Sequence, residues 1–151
     1  MFTLSHAVEV NPAGAEPVLA AEDVWRGLVM KAENALPFVP GMSRCDIIER
    51  GENWLLREVE FAGDTHRERI SFRAPVQVHF ERVGEGGFIE NTISSSDHGP
   101  LLTFTFGLQF PGIEPGSPAE RERGEGMKGA YIGAVAATLS RVREMKRNGE
   151  L

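Results

Sequence analysis

Four polar residues of this chain fall where an alternating pattern turns side chains toward an apolar interior: His6, Arg57, Glu68 and Asn91. A histidine, a guanidinium and a carboxylate in a low-dielectric space are the groups that proton transfer needs. An amide beside them can orient a ligand oxygen. The same four could equally form a buried network that fixes strand register, and residue type alone leaves both roles open. Catalysis needs a nucleophile, a base and an orienting group at matched spacing, and no such spacing is visible. Whether the chain is an enzyme therefore stays open. His66 and Glu68, two apart on one strand face, offer a metal two donors without a third, so no metal site is expected. Asp97 and His98 precede Gly99 and Pro100 and belong to a turn more than to a catalytic dyad. His79 alternates with Val78 and Phe80 and should point to solvent. The Gly84-Glu85-Gly86-Gly87 run opens no helix, which makes it a hairpin turn and not a phosphate loop. Cys45 is the lone cysteine and gives neither disulfide nor metal spacing. No cofactor is implied.

The elements that must position these groups follow from periodicity. Phe2, Leu4, His6, Val8 and Val10 share one face of a half-buried strand. From about Ala21 to Ala35 the period changes. Trp25, Leu28, Val29 and Ala32 form one face of an amphipathic helix, with Glu22 and Asp23 in its first turn. Pro37 stops it, and residues 36–41 make an apolar, proline-bounded elbow. Six strand-like runs follow, at about 42–50, 53–62, 65–73, 76–82, 87–96 and 101–110, joined by tight turns as in an antiparallel meander. Ser117, Pro118 and Glu120 then predict an N-cap, a first-turn proline and a capping box. The last helix extends from there to about Asn148. The result is an α+β domain spanning 1–151, its sheet covered by two helical segments.

A hairpin turn at Gly63-Asp64 would place Leu55, Val59, Phe61, Ile70 and Phe72 on one face, together with Arg57, His66 and Glu68. Arg57 and Glu68 become diagonal neighbours within reach of an ion pair. Extending the rule adds Val76, Val78 and Phe80, then Ile89, Asn91 and Ile93, then Leu102, Phe104, Phe106, Leu108 and Phe110. The strand at 42–50 is ambiguous: either Cys45 and Ile47 or Asp46 and Ile48 face inward. Trp25 suits the core or a ligand wall. Phe38, held between Pro37 and Pro40, is a candidate for a cavity mouth. On the last helix Gly126, Gly129, Ala130, Gly133, Ala134 and Ala137 form a small-residue stripe. It signals either close approach to the sheet or room for a ligand, and the large aromatics opposite favour room. Met127 and Tyr131 would then line the chamber.

Acidic residues number 22 against 16 basic ones, a formal net charge of -6. Such a chain repels phosphate backbones, and nucleic acid is an unexpected partner. The apolar stretches are too short for a membrane span. The N-terminus opens directly into a strand pattern without a leader, which points to the cytoplasm. Oligomeric state is not legible.

Three segments carry a family resemblance: VWRGLVMKAENALPFVPG (24–41), LLREVEF (55–61) with RERISF (67–72), and GGFIENTIS (86–94) with LLTFTF (101–106). They resemble the AtaL-like family, a branch of the START-like, helix-grip superfamily that includes birch-pollen-allergen-like proteins and polyketide aromatase/cyclases. The resemblance implies a helix-grip fold, in which a seven-stranded curved antiparallel sheet wraps a long C-terminal helix. It brings no catalytic motif. The expected function is binding of a hydrophobic or aromatic small molecule, lipid or polyketide-like, in an internal cavity. The expected lining is His6, Trp25, Phe38, Arg57, Glu68, Phe72, Asn91, Phe104, Phe106, Met127 and Tyr131. A cyclase, dehydratase or isomerase in the same cavity is the alternative, and a co-chaperone-like interaction module the second.

Overall fold

In a computed structural model, which describes residues 1–151, the two periodicities resolve into seven strands and two helices. These are β1 (Phe2–Glu9), α1 (Ala21–Glu33), β2 (Met42–Arg50), β3 (Trp54–Phe61), β4 (Asp64–Arg73), β5 (Gln77–Arg82), β6 (Phe88–Ser94), β7 (Leu101–Leu108) and α2 (Pro118–Arg147). Element ends follow the chemical punctuation. At the start of α2 the Ser117 hydroxyl accepts the Glu120 amide at 3.2 Å. The Glu120 carboxylate reaches back one residue further than a capping box requires, to the Gly116 amide at 3.2 Å. The sheet is wholly antiparallel, in the order β1-β7-β6-β5-β4-β3-β2. β2 to β7 form the predicted meander, and β1 returns to pair with β7. α2 lies against β1, β7 and α1.

The hairpin between β3 and β4 turns one residue earlier than expected. Ala62 and Gly63 both have positive φ, 52° and 85°, as a two-residue type I′ loop demands. Phe61 therefore pairs with Asp64, Val59 with His66, Arg57 with Glu68 and Leu55 with Ile70. The slip is two residues in register, so every side chain keeps its predicted face. Its neighbours change: Arg57 stands directly opposite Glu68 instead of diagonal to it. On β2, Cys45 pairs with Val59 and Ile47 with Arg57, so these two face inward and Ile48 is exposed. Val76, expected inward, is exposed in the turn before β5.

The core joins Val24 and Leu28 of α1, the inward residues of β3 to β7, and Val135, Leu139, Val142 and Met145 of α2. The large apolar residues of α2 decide which face it buries. The small-residue stripe lies on the other side. At about 100° per residue, Gly133 and Ala137 stand roughly 160° around the helix from Val135. Nothing lies within 4 Å of a Cβ built at Gly126, Gly129 or Gly133, and all three are exposed. The stripe therefore borders neither the sheet nor an inner chamber, contrary to expectation. Close approach occurs elsewhere: a Cβ at Gly27 would overlap Val142, and one at Gly124 would overlap the Phe2 ring.

These contrasts predict opposite signs for the same substitution. Gly133→Ala should stabilise the protein by about 0.5–1 kcal/mol through helix propensity alone. Gly27→Ala should cost about 1–3 kcal/mol by overpacking against Val142. Urea denaturation of both variants checks this. A loss of stability in Gly133→Ala would mean that the stripe is packed after all.

Candidate functional site

A buried polar cluster forms where the end of α1 crosses the middle of the sheet. Arg57 and Glu68 are 3% and 7% exposed. The guanidinium holds Glu68 Oε1 from Nε at 2.9 Å and from Nη2 at 2.8 Å. Its Nη1 donates to the main-chain oxygens of Lys31 and Ala32, both at 2.9 Å. Those carbonyls belong to the last turn of α1, where intrahelical partners run out before Pro37. The cation also meets the negative end of the helix dipole. Arg57 is thus committed on every nitrogen.

Lys31 is the member that periodicity analysis missed. It follows Val24 and Leu28 at helical spacing, so its stem runs along the buried face of α1, and the residue is 8% exposed. Nζ donates to Asn91 Oδ1 at 3.0 Å. It lies 5.0 Å from the centroid of the Phe80 ring and 4.7 Å from that of Phe104. Burial, and next the nearby Arg57 cation, lower its pKa from 10.5 to about 7, while Glu68 pulls the other way. Asn91 is 0% exposed, yet its Nδ2 has no hydrogen-bond partner. A lysine inside an apolar stripe was the signal available in the sequence.

The remaining expected site residues are dispersed over the molecule. His6 stands opposite Phe104, two strands from Asn91, on the partly covered side of β1. Trp25 meets Phe72 edge-on, with centroids 6.5 Å apart. Phe106 contacts Phe104 at 6.1 Å and Tyr131 at 4.5 Å, which closes that end of the interior where an open chamber was expected. Burial raises the Tyr131 hydroxyl pKa. Phe38 is in the core and lines no mouth, because the elbow folds back on Ala35, whose carbonyl accepts the Phe38 and Val39 amides. Met127 borders an outer depression of about 460 Å³ with Glu122, Arg123 and Gly126, away from the cluster. His66 turns to Glu85, with Nδ1 2.8 Å from Oε2. His79 lies on the outer face, stacked on Phe88 and paired with Glu90. Asp97 and His98 sit in a turn.

The inward apolar face is incompletely buried. Leu4, Val8, Trp25, Phe72, Ile89, Leu108 and Tyr131 pack against the core, yet each keeps surface that a water-sized molecule can touch. An apolar surface with a few convergent polar groups can take up a small molecule and orient it.

Removing Arg57 or Glu68 alone should cost about 3–5 kcal/mol, because the survivor is a buried unpaired charge. Arg57→Met with Glu68→Leu should cost about 2–3 kcal/mol less than the sum of the singles. It should not be neutral, since the α1 carbonyls also lose their donor. Additive losses in denaturation would mean that the pair is not coupled. For Lys31 the sign runs the other way. Its folded pKa lies below the unfolded value, so the native state binds fewer protons between about pH 7 and 10.5. The resulting penalty is full below that window and fades as pH rises through it. Lys31→Met should therefore stabilise the protein at pH 6, with the gain shrinking by up to about 1.4 kcal/mol per pH unit above 7. Equal gains at pH 6 and pH 10 would contradict a depressed Lys31.

Comparison with known proteins places this architecture. Residues 4–149 match the family model described as AtaL, acetylaranotin biosynthesis cluster protein L. A protein of that description from Aspergillus terreus (strain NIH 2624 / FGSC A1156) is 24% identical over 153 residues, covering 99% of this chain and 93% of its own. Among solved structures, the di-domain ARO/CYC StfQ from the steffimycin biosynthetic pathway aligns with a TM-score of 0.69 at 13% identity, over 97% of this chain. The alignment takes in 51% of StfQ, so this chain spans about half its length. Zhui aromatase/cyclase from Streptomyces sp. R1128 aligns at 0.66 and 18% identity, covering 95% of this chain and 94% of that one. Ara h 8.0201 aligns at 0.57 and 13%, covering 93% and 97%. At these identities the structures speak for the fold alone, which is the helix-grip fold. No helix is long and apolar enough to cross a membrane. The chain belongs to the AtaL family, on the START-like helix-grip fold.

Proposed function

We propose that this chain binds a hydrophobic or aromatic small molecule, lipid or polyketide-like, between the inward face of its sheet and its helices. The observation that carries this is the incompletely covered apolar face. Phe72, Ile89, Leu108 and Tyr131 point inward without being fully enclosed, beside the polar Lys31–Asn91 pair. Likeness to the ARO/CYC StfQ and the Zhui aromatase/cyclase supports a ring-bearing ligand. One observation favours a second reading, a cyclase-, dehydratase- or isomerase-type enzyme in the same space. Lys31 has a pKa of about 7, suited to taking and returning a proton near neutrality.

Trp25 offers a built-in reporter. The chain has two tryptophans, and Trp54 lies over Arg69, 4.2 Å from its guanidinium, on the outer face. In a Trp54→Phe background, an apolar probe such as 2-methylnaphthalene should change Trp25 emission saturably. Phe72→Lys, which puts a charge on the half-open face, should weaken that response at least about tenfold, the equivalent of 1.4 kcal/mol. Because Phe72 packs on Trp25, the variant should melt lower, and binding is compared below the melting transition of both proteins. A response that is absent, or indifferent to Phe72→Lys, would overturn the binding function.

A further inference from the structure

We propose that Lys31 and Asn91 form a two-donor site for an acidic oxygen of the ligand, a carboxylate, phenolate or enolate carried on an apolar or aromatic body. The proposal rests on the binding function above and names the ligand's polar group. Asn91 Nδ2 is wholly buried and unpartnered, a donor without an acceptor. It belongs to the same amide whose oxygen lies 3.0 Å from Lys31 Nζ, so one ligand atom can meet both nitrogens. The other hydrogens of the ammonium face the Phe80 and Phe104 rings and find no oxygen there. Glu68 does not fill the gap: its Oε1 is held by Arg57, and it makes neither a hydrogen bond nor an ion pair with Lys31 Nζ or Asn91 Nδ2. Arg57 in turn is spent on Glu68 and the carbonyls of Lys31 and Ala32. Lys31 Nζ therefore has no acceptor beyond Asn91 Oδ1, and Asn91 Nδ2 has none at all.

Charge balance points the same way. The Arg57–Glu68 pair is neutral, so a protonated Lys31 leaves one uncompensated cation in the interior. An anionic oxygen beside Nζ supplies the missing charge and favours the ammonium. A carboxylate arriving ionised would draw one proton from solvent onto Lys31 Nζ. A phenol or enol would hand over its own, with the O–H bond broken, the N–H bond formed and no net exchange. Other titratable groups on the inward faces are Cys45 on β2, Arg57 on β3, Glu68 and His66 on β4, Arg82 on β5, His6 on β1 and Tyr131 on α2.

The test is calorimetric titration of the intact chain with 2-naphthoate at pH 8, in buffers of different ionisation enthalpy. 2-Methylnaphthalene, followed by Trp25 emission, is the neutral control. With a Lys31 pKa of about 7, binding should take up about 0.9 proton per naphthoate, and affinity should fall about tenfold per pH unit above 7. Lys31→Met should abolish the uptake, and Asn91→Leu should weaken naphthoate about tenfold or more. Far-UV circular dichroism and a cooperative melt show that both variants fold. Naphthoate binding without proton uptake, or with uptake surviving in Lys31→Met, overturns the proposal. So do equal affinities for the two probes, the outcome if Asn91 Nδ2 merely holds a water. In each case a bound 2-methylnaphthalene leaves the general binding function standing. Binding of neither probe overturns both.

Discussion

The Arg57 guanidinium is the contact on which the interior geometry depends. It joins β3 to β4 through Glu68 and both strands to α1 through the carbonyls of Lys31 and Ala32. Helix ends normally finish in water or on a capping residue, because the last carbonyls lack partners. Here the end of α1 is buried against the sheet, and a cation from the sheet satisfies it. That arrangement fixes where α1 stops and which of its side chains lies over the sheet. Burying an ion pair is a poor way to gain stability when apolar residues of the same volume would serve. Its value lies in position: the pair sets the register of the β3–β4 hairpin and pins the end of α1 over it.

With α1 pinned, Lys31 has only one direction to go. Its stem follows the buried face of the helix, and Nζ ends between Asn91 and two phenylalanine rings. A methionine would fill the same path without the cost of desolvating an amine. A lysine there, beside an amide with one unpartnered nitrogen, breaks two rules of core composition at one point. Such local violations concentrate at functional positions, where a cost in stability is retained for chemistry. On the same inward face of the sheet Phe106 packs on Tyr131 and Phe72 meets Trp25 edge-on.

Much of this was legible in the sequence, for identifiable reasons. Strand faces follow from period-two alternation, which survives a two-residue slip of register. Leu55, Arg57, Val59, Glu68 and Ile70 therefore share the expected face although the turn falls one residue earlier than the Gly63-Asp64 pair suggests. The turn itself was harder, because a positive φ at Ala62 is an unusual demand on alanine. Lys31 was missed because a lysine on an amphipathic helix normally points its head to water, and only the buried end of α1 keeps it in. Phe38 was misplaced because prolines fix an elbow's angles without saying which way it folds.

The stripe on α2 shows the limit of composition as a guide. Small residues at helical spacing mark a face, but the face that packs is chosen by large side chains. Val135, Leu139, Val142 and Met145 bury enough apolar surface to orient the whole helix, and the glycines turn outward by default. Missing side chains on the helix therefore open no room between α2 and the sheet. Selectivity on the inward face comes from its few polar atoms. An entirely apolar ligand would leave Asn91 Nδ2 as orphaned as before. A ligand that brings an acidic oxygen satisfies the amide and balances the lysine in one contact.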